Sequence, residues 1–236
     1  MKKLSIIFLA FLAISPLWAE RVLVNDVVYD VNSDNKTAMV DSVSTNYTAL
    51  TIPSSIIHDG ITYAVTSIGD RAVEGCEGLK EITIPKTVTS IGDEAFVGCV
   101  SLITITIPKS VTILKKGVFA GCESLTTITI PKSIKSIGNG AFSDCYSLTT
   151  ITIVPNSKGE LLIGNCAFAG CESLMSITIP KHVKGIDNYA FGECISLKSI
   201  VYKGTREEWS SLDKKPTWNN GIPATYVQCK DGHVGL

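Results

Sequence analysis

Charge, histidine and long apolar runs are all scarce in this chain of 236 residues. Lys and Arg number 21 against 22 Asp and Glu, and only 18% of residues are charged, so the basic patch or stripe of a nucleic-acid binder is missing. The three histidines, His58, His182 and His233, are scattered, and no two of the eight cysteines have the C-x-x-C spacing of a zinc site. There is also no nucleophile elbow, phosphate-cradling glycine loop or metalloprotease helix. These absences lead to the expectation of a protein that is not an enzyme and holds neither metal nor cofactor. Beyond the first twenty residues no apolar run approaches the roughly 20 needed to cross a bilayer.

Those first residues, MKKLSIIFLAFLAISPLWAE, follow the order of an export signal. Lys2 and Lys3 give the basic start, Leu4 to Ile14 the apolar run, Pro16 a break and Ala19 a small residue suited to cleavage. The expectation is a signal peptide over 1–19 and a mature chain from Glu20, secreted or held at a cell surface without a transmembrane span. Removing Lys2 and Lys3 leaves 19 basic groups against 22 acidic ones.

What the chain has in abundance is repetition. Leu79, Leu102, Leu125, Leu148, Leu174 and Leu197 recur at steps of 23, 23, 23, 26 and 23 residues, after a degenerate copy from about Ala49 that carries the insertion IHDGITYA. Each copy reads L-x-x-I-x-I-P-K-x-V/I-x-x-I-G-x-x-A-F-x-x-C-x-S. The I-x-I segment alternates apolar and polar positions with β-branched residues, the period of a short half-buried strand. Ile82 and Ile84 point inward and Glu81 and Thr83 outward, and Pro85, which has no N–H to donate, ends the strand. Gly92 marks a bend that needs no Cβ, and the spacing of Ala95, Phe96, Cys99 and Leu102 predicts a turn or two of helix leading back to the next strand.

One such coil has a single apolar face that it cannot bury alone, so the copies must stack as a solenoid. Stacking places Phe96, Phe119, Phe142, Phe168 and Phe191 in one core column and Ile68, Ile91, Leu114, Ile137, Ile163 and Ile186 in another. A third column holds Cys76, Cys99, Cys122, Cys145, Cys171 and Cys194. An even cysteine count in an exported chain raises a disulfide framework, but side chains stacked in one direction favour an unpaired buried ladder. Cys166 and Cys229 lie outside the column and are the candidates for oxidation or a bridge.

The period and the L-x-x-I-x-I core fit leucine-rich repeats, whose coils run 20 to 29 residues. The usual N-x-L after the strand is replaced by P-K/S-x-V and A-F-x-x-C-x-S-L. In that form SIGDEAFVGCVSLITITIPKSV resembles the BspA-like leucine-rich repeats of bacterial surface and secreted proteins, over about residues 49 to 202. VVYDVNSDNKTAMV is similar to the hairpin that opens many members, and YKGTREEWSSL followed by VQCKDG to their closing cap. The expected architecture is therefore a repeat solenoid: a right-handed α/β or mostly-β stack of coils with a parallel sheet on its concave face. The expected divisions are a signal peptide over 1–19, an N-terminal β-hairpin cap over 20–48, about six repeats and a final strand over 49–202, and a C-terminal cap over 203–236. Trp209 and Trp218 read as lids on the last apolar layer.

Function is sought on the outward strand positions. Thr83, Thr106, Thr129, Thr152 and Thr178 continue one column from Thr51, and Thr104, Thr127 and Thr150 belong to its neighbour, which runs from Ala49 and Glu81 to Ser176. Lys86, Lys109, Lys132 and Lys181 follow the prolines as a basic stripe. Threonine is also a good strand former and lysine discourages edge pairing. Three full Thr-x-Thr rows are few for an ice-binding lattice. What the resemblance implies is an extracellular protein-binding or adhesion module of bacterial origin that attaches to host extracellular-matrix proteins or other cell-surface proteins. A self-assembling surface scaffold without a specific ligand stays open beside it, with a secreted enzyme as the remote alternative.

Overall fold

A computed structural model describes residues 20–157 and 159–236; the export signal read in residues 1–19 lies outside the described residues. The chain winds through about eight turns of a solenoid that is mostly strand with little helix. The rungs of its first ladder are Ala49–Thr51, Glu81–Thr83, Thr104–Ile105, Thr127–Ile130, Thr150–Ile153, Ser176–Ile179, Ser199–Tyr202 and Tyr226–Cys229. Paired rungs run parallel with equivalent residues side by side, Thr127 beside Thr150 and Ile128 beside Ile151, because identical coils present identical registers. Alternation does what it should: Ile105, Ile128, Ile151, Ile177 and Ile200 are buried and the threonines between them are exposed. The ladder divides into three hydrogen-bonded blocks, with no strand pairing among the described residues after Thr104–Ile105 or after Thr150–Ile153.

The second apolar column forms a second ladder, with rungs Ile61–Ile68, Ser90–Ile91, Ile113–Leu114, Ser136–Ile137, Leu161–Ile163, Val183–Ile186 and Asp213–Lys214. Its first partner comes from the N-terminal segment. Glu20–Val24, Val27–Asn32 and Thr37–Val43 make an antiparallel meander, and the third of these strands pairs in parallel with Ile61–Ile68. The opening edge of the stack is thereby covered instead of left to pair with another chain. The insertion IHDGITYA is the turn between Ser55–His58 and Ile61–Ile68 and the strand that follows it. Asp59 and Gly60 at its tip have φ of 48° and 77°, the left-handed pair that a two-residue hairpin demands.

The A-F-x-x-C segment departs from the helix expected of it and runs as successive turns in every coil. The reason lies in two left-handed positions per coil: Glu94 and Gly98, Gly117 and Gly121, Gly140 and Asp144, Cys166 and Gly170, Tyr189 and Glu193 all have φ between 52° and 71°. A helix cannot pass through them. Alternate amides instead donate to the next coil, Glu94 N–H to Lys116, Phe96 N–H to Val118 and Gly98 N–H to Ala120, at 2.8 to 2.9 Å. Those between them close short turns within their own coil, as Val97 N–H does on Glu94 at 3.0 Å. The return segment is thus a third ladder between coils. Gly92, read as a bend, has no positive φ; it is glycine because a Cβ there would run into the Gly69–Asp70 backbone of the coil before it.

Inside, Phe96, Phe119, Phe142, Phe168 and Phe191 are fully buried and stack with centroids 5.2 to 5.4 Å apart and planes within 20° of parallel. Each buried ring is worth roughly 1.5–3 kcal/mol. Trp218 closes the stack edge-on to Phe191 at 6.1 Å and packs on Trp209 at 5.6 Å. Trp209 belongs to the short helix Arg206–Ser211, which starts at a capping box between Thr205 and Glu208. Tyr226–Cys229 then adds the last parallel rung, and Gly232–Gly235 folds back on it antiparallel.

All eight cysteines are free thiols. Cys122, Cys145 and Cys171 each donate from Sγ to a phenylalanine carbonyl 26 or 29 residues earlier, of Phe96, Phe119 and Phe142, at 3.3 Å. Cys194 does the same to Phe168 and Cys99 to Val73, both at 3.1 Å. Burial pushes the thiols of Cys99 and Cys145 up to about 12, so they stay protonated donors.

Candidate binding site on the sheet face

Thr83, Thr104, Thr106, Thr127, Thr129, Thr150, Thr152 and Thr178 are all exposed on one face of the first ladder, as are Lys109 and Lys132. The strand puts them there by its period of two: each hydroxyl faces out beside at least one buried isoleucine, as Thr104 beside Ile105 and Thr127 and Thr129 beside Ile128. Between the third and fourth rungs, where the strand pairing is interrupted, the face sinks into a groove of about 830 Å³. That lies within the range of roughly 300–1,000 Å³ typical of ligand clefts.

The groove gathers Thr104, Thr106, Lys109, Thr127, Thr129 and Lys132, and leaves Thr83, Thr150, Thr152 and Thr178 on the flatter sheet outside its lining. Ile107 and Pro131 contribute apolar wall. Val154 and Asn156, which the sequence reading did not single out, come from the one coil whose step is 26 residues. The extra residues let this loop lean back one coil: Asn156 Nδ2 donates to the Lys132 carbonyl at 2.9 Å, while its N–H points to Nδ1 of His182 at 3.5 Å. His182 is buried, and that burial, with Lys184 nearby, lowers its pKa below the usual value. The irregular step was the available signal for these residues.

Charge on the groove is of one sign. No carboxylate, histidine or cysteine is among its described lining residues, and Lys109 and Lys132 form no ion pair among the described residues. Lys181, at the same place in a later coil, is tied to Glu208 at 3.4 Å. Other surface charges pair between coils: Lys116 and Arg71 bind Glu94 at 3.0 and 2.8 Å and hold its carboxyl below the usual carboxylate range. Ser133 also lines the groove, and its buried Oγ has no hydrogen-bond partner, whereas Ser110 one coil earlier donates to the Lys86 carbonyl at 3.1 Å.

Other clusters are weaker. Glu20, His58 and Asp59 bring three ligand-type atoms together at the edges of the N-terminal sheet, with His58 Nε2 3.0 Å from Glu20 and 3.7 Å from Asp59, the two carboxylates exposed and His58 partly buried. Cys166 is half-buried, and burial with Asp144 and Asp187 nearby raises its pKa, the reverse of what a reactive thiol needs. No helix among the described residues is long and apolar enough to cross a membrane.

The family profile described as "BspA type Leucine rich repeat region" matches six copies over residues 44–161 and 157–211. No curated protein matches the sequence. Among solved structures, the chain is similar to a leucine-rich repeat protein of Bacteroides ovatus at 30% identity and a TM-score of 0.60, over 78% of this chain and 55% of that one. It is also similar to the leucine-rich repeat protein of T. pallidum, at 30% identity and a TM-score of 0.67, over 77% and 81% of the two chains. A leucine-rich cell surface protein of Faecalibacterium prausnitzii matches at 26% identity and 0.51, over 80% and 71%. The chain spans about half the length of the Bacteroides ovatus protein.

Proposed function

The chain belongs to the BspA-type leucine-rich-repeat family, a family often associated with the bacterial surface, and on that premise we propose that it is an exported binding or adhesion module. Its sheet face engages host extracellular-matrix proteins or other cell-surface proteins. The observation that carries this reading is the groove, in which six of the outward Thr and Lys residues converge on a surface whose described lining holds no carboxylate, histidine or thiol. Solenoids bind through extended regular faces of this kind, and a similar solved protein is described as a cell surface protein. Such a lining positions hydroxyl and ammonium groups as donors and acceptors for recognition.

The test is a binding screen of the purified protein against matrix proteins, mucins and glycans, at several salt concentrations, beside a Thr127→Glu/Thr150→Glu variant. Both positions are exposed, so the variant should keep its urea midpoint while saturable binding is lost. A ligand bound equally well by the variant would remove the sheet face from the reading. Ordered self-association with no ligand would favour a scaffold.

A further inference from the structure

We propose that the groove is a site for an acidic polysaccharide, with Lys109 and Lys132 pairing with its anionic groups and the threonine hydroxyls bonding its hydroxyls. The inference rests on the sheet face being the binding surface and narrows it: what enters the groove is the acidic glycan carried by a partner, not its polypeptide.

Charge comes first. Lys86, Lys109 and Lys132 stand in three successive coils, about 4.8 Å apart along the stack, and none pairs with a carboxylate among the described residues. An unpaired row of cations beside a groove that no acid lines is complementary to a ligand with repeated negative charge. Glu81, in register with Thr104, ends the basic surface on the side of the first coils.

The uncharged lining points away from a protein surface. Protein hot spots are enriched in Trp, Tyr and Arg and poor in Thr, Ser and Val; the described lining of the groove has none of the first set and takes half its residues from the second, with Ile, Pro, Lys and Asn. Each threonine hydroxyl is both donor and acceptor, and so is each hydroxyl of a sugar. Ser133 adds a buried Oγ without a partner at the same place.

Geometry disfavours an extended peptide. A peptide strand lying along the stack would repeat its side chains every 6.6 Å or so, out of step with rungs about 4.8 Å apart.

The experiment measures binding of the whole protein to heparin and polygalacturonate, with dextran and poly-L-glutamate as the neutral and peptide controls. Lys109→Gln/Lys132→Gln is compared with Lys198→Gln/Lys203→Gln, which removes the same charge from exposed lysines outside the groove lining. The expected result is salt-sensitive binding to at least one of the two acidic polysaccharides, weakened roughly tenfold by the first variant and less than about twofold by the second. Which of the two binds tells whether sulfate or carboxylate is preferred. Equal weakening by both variants, or equal binding of poly-L-glutamate, overturns the inference. If neither polysaccharide binds while a matrix protein does so in a Thr127→Glu/Thr150→Glu-sensitive manner, the inference fails and the sheet-face reading stands. If every ligand is indifferent to that threonine variant, the sheet-face reading fails as well.

Discussion

Replacing Phe142 by alanine takes out the middle ring of the stack. The side chain is fully buried and its centroid lies 5.2 Å from those of both Phe119 and Phe168, so truncation removes two ring contacts and leaves a cavity walled by neighbouring coils. Those walls are held by three hydrogen-bonded ladders and have little freedom to collapse inward, which places the expected loss at about 3–5 kcal/mol. Against a domain stability of roughly 5–15 kcal/mol that is at least about a fifth. In a solenoid the loss falls on one pair of interfaces, and the two halves of the stack then unfold separately. Urea titration reads this with two probes: far-UV circular dichroism follows all coils, and the fluorescence of buried Trp209 and Trp218 follows the C-terminal end. Phe142→Ala should lower the midpoint and split the two curves, whereas Tyr146→Ala, at an exposed aromatic of the same coil, should change stability by less than about 0.5 kcal/mol. A loss below about 1 kcal/mol at Phe142, with coincident curves, would refute the idea that the ring column carries the coupling between coils.

Two further outcomes follow from buried titratable groups. At pH 8 iodoacetamide should label Cys166 first, and the six column cysteines only at the rate at which the stack opens, because their thiols are buried and committed to carbonyls; mass spectrometry after a time course decides, and column labelling at the Cys166 rate would contradict it. His182 is neutral in the fold, its pKa lowered by burial and by Lys184, so the unfolded chain binds the proton more readily. Its contribution is complete above about pH 6.5 and is lost as the pH falls below that. Urea midpoints between pH 7.5 and 5 should therefore decline more steeply in the wild type than in His182→Ser.

The solenoid was legible because repetition turns weak local signals into columns: one I-x-I-P is ambiguous, but six copies of the repeat, four of them with I-x-I-P, leave no other way to bury their isoleucines. The return segment misled for a local reason. Ala95, Phe96, Cys99 and Leu102 have helical spacing, and the left-handed positions that forbid a helix are filled in places by Glu94, Cys166, Tyr189 and Glu193, residues that do not advertise positive φ. The groove was half legible. Thr104, Thr106, Thr127, Thr129, Lys109 and Lys132 stand out by column, but ITITIP at Ile103 and TTITIP at Thr126 read alike, and nothing in them announces that the ladder opens between those coils. The groove's far side is set by Asn156 reaching the Lys132 carbonyl from a loop more than twenty residues away.

The cysteine column explains how this chain can carry so many thiols without bridging them. Each phenylalanine N–H is taken by the next coil, and its carbonyl already receives a turn bond, as Phe96 does from Cys99 N–H at 3.3 Å. A second lone pair remains inside the core, where a donor is needed and water has no room. Serine would fill that need at the price of a more polar group in an apolar column; alanine would leave the lone pair unused. A thiol is apolar enough for the site and still donates weakly. Pointing each Sγ at a carbonyl of the preceding coil aims the column in one direction and engages the sulfurs with backbone. The interior is thereby fixed position by position, and the outward face, whose residues take no part in this accounting, is left free to vary.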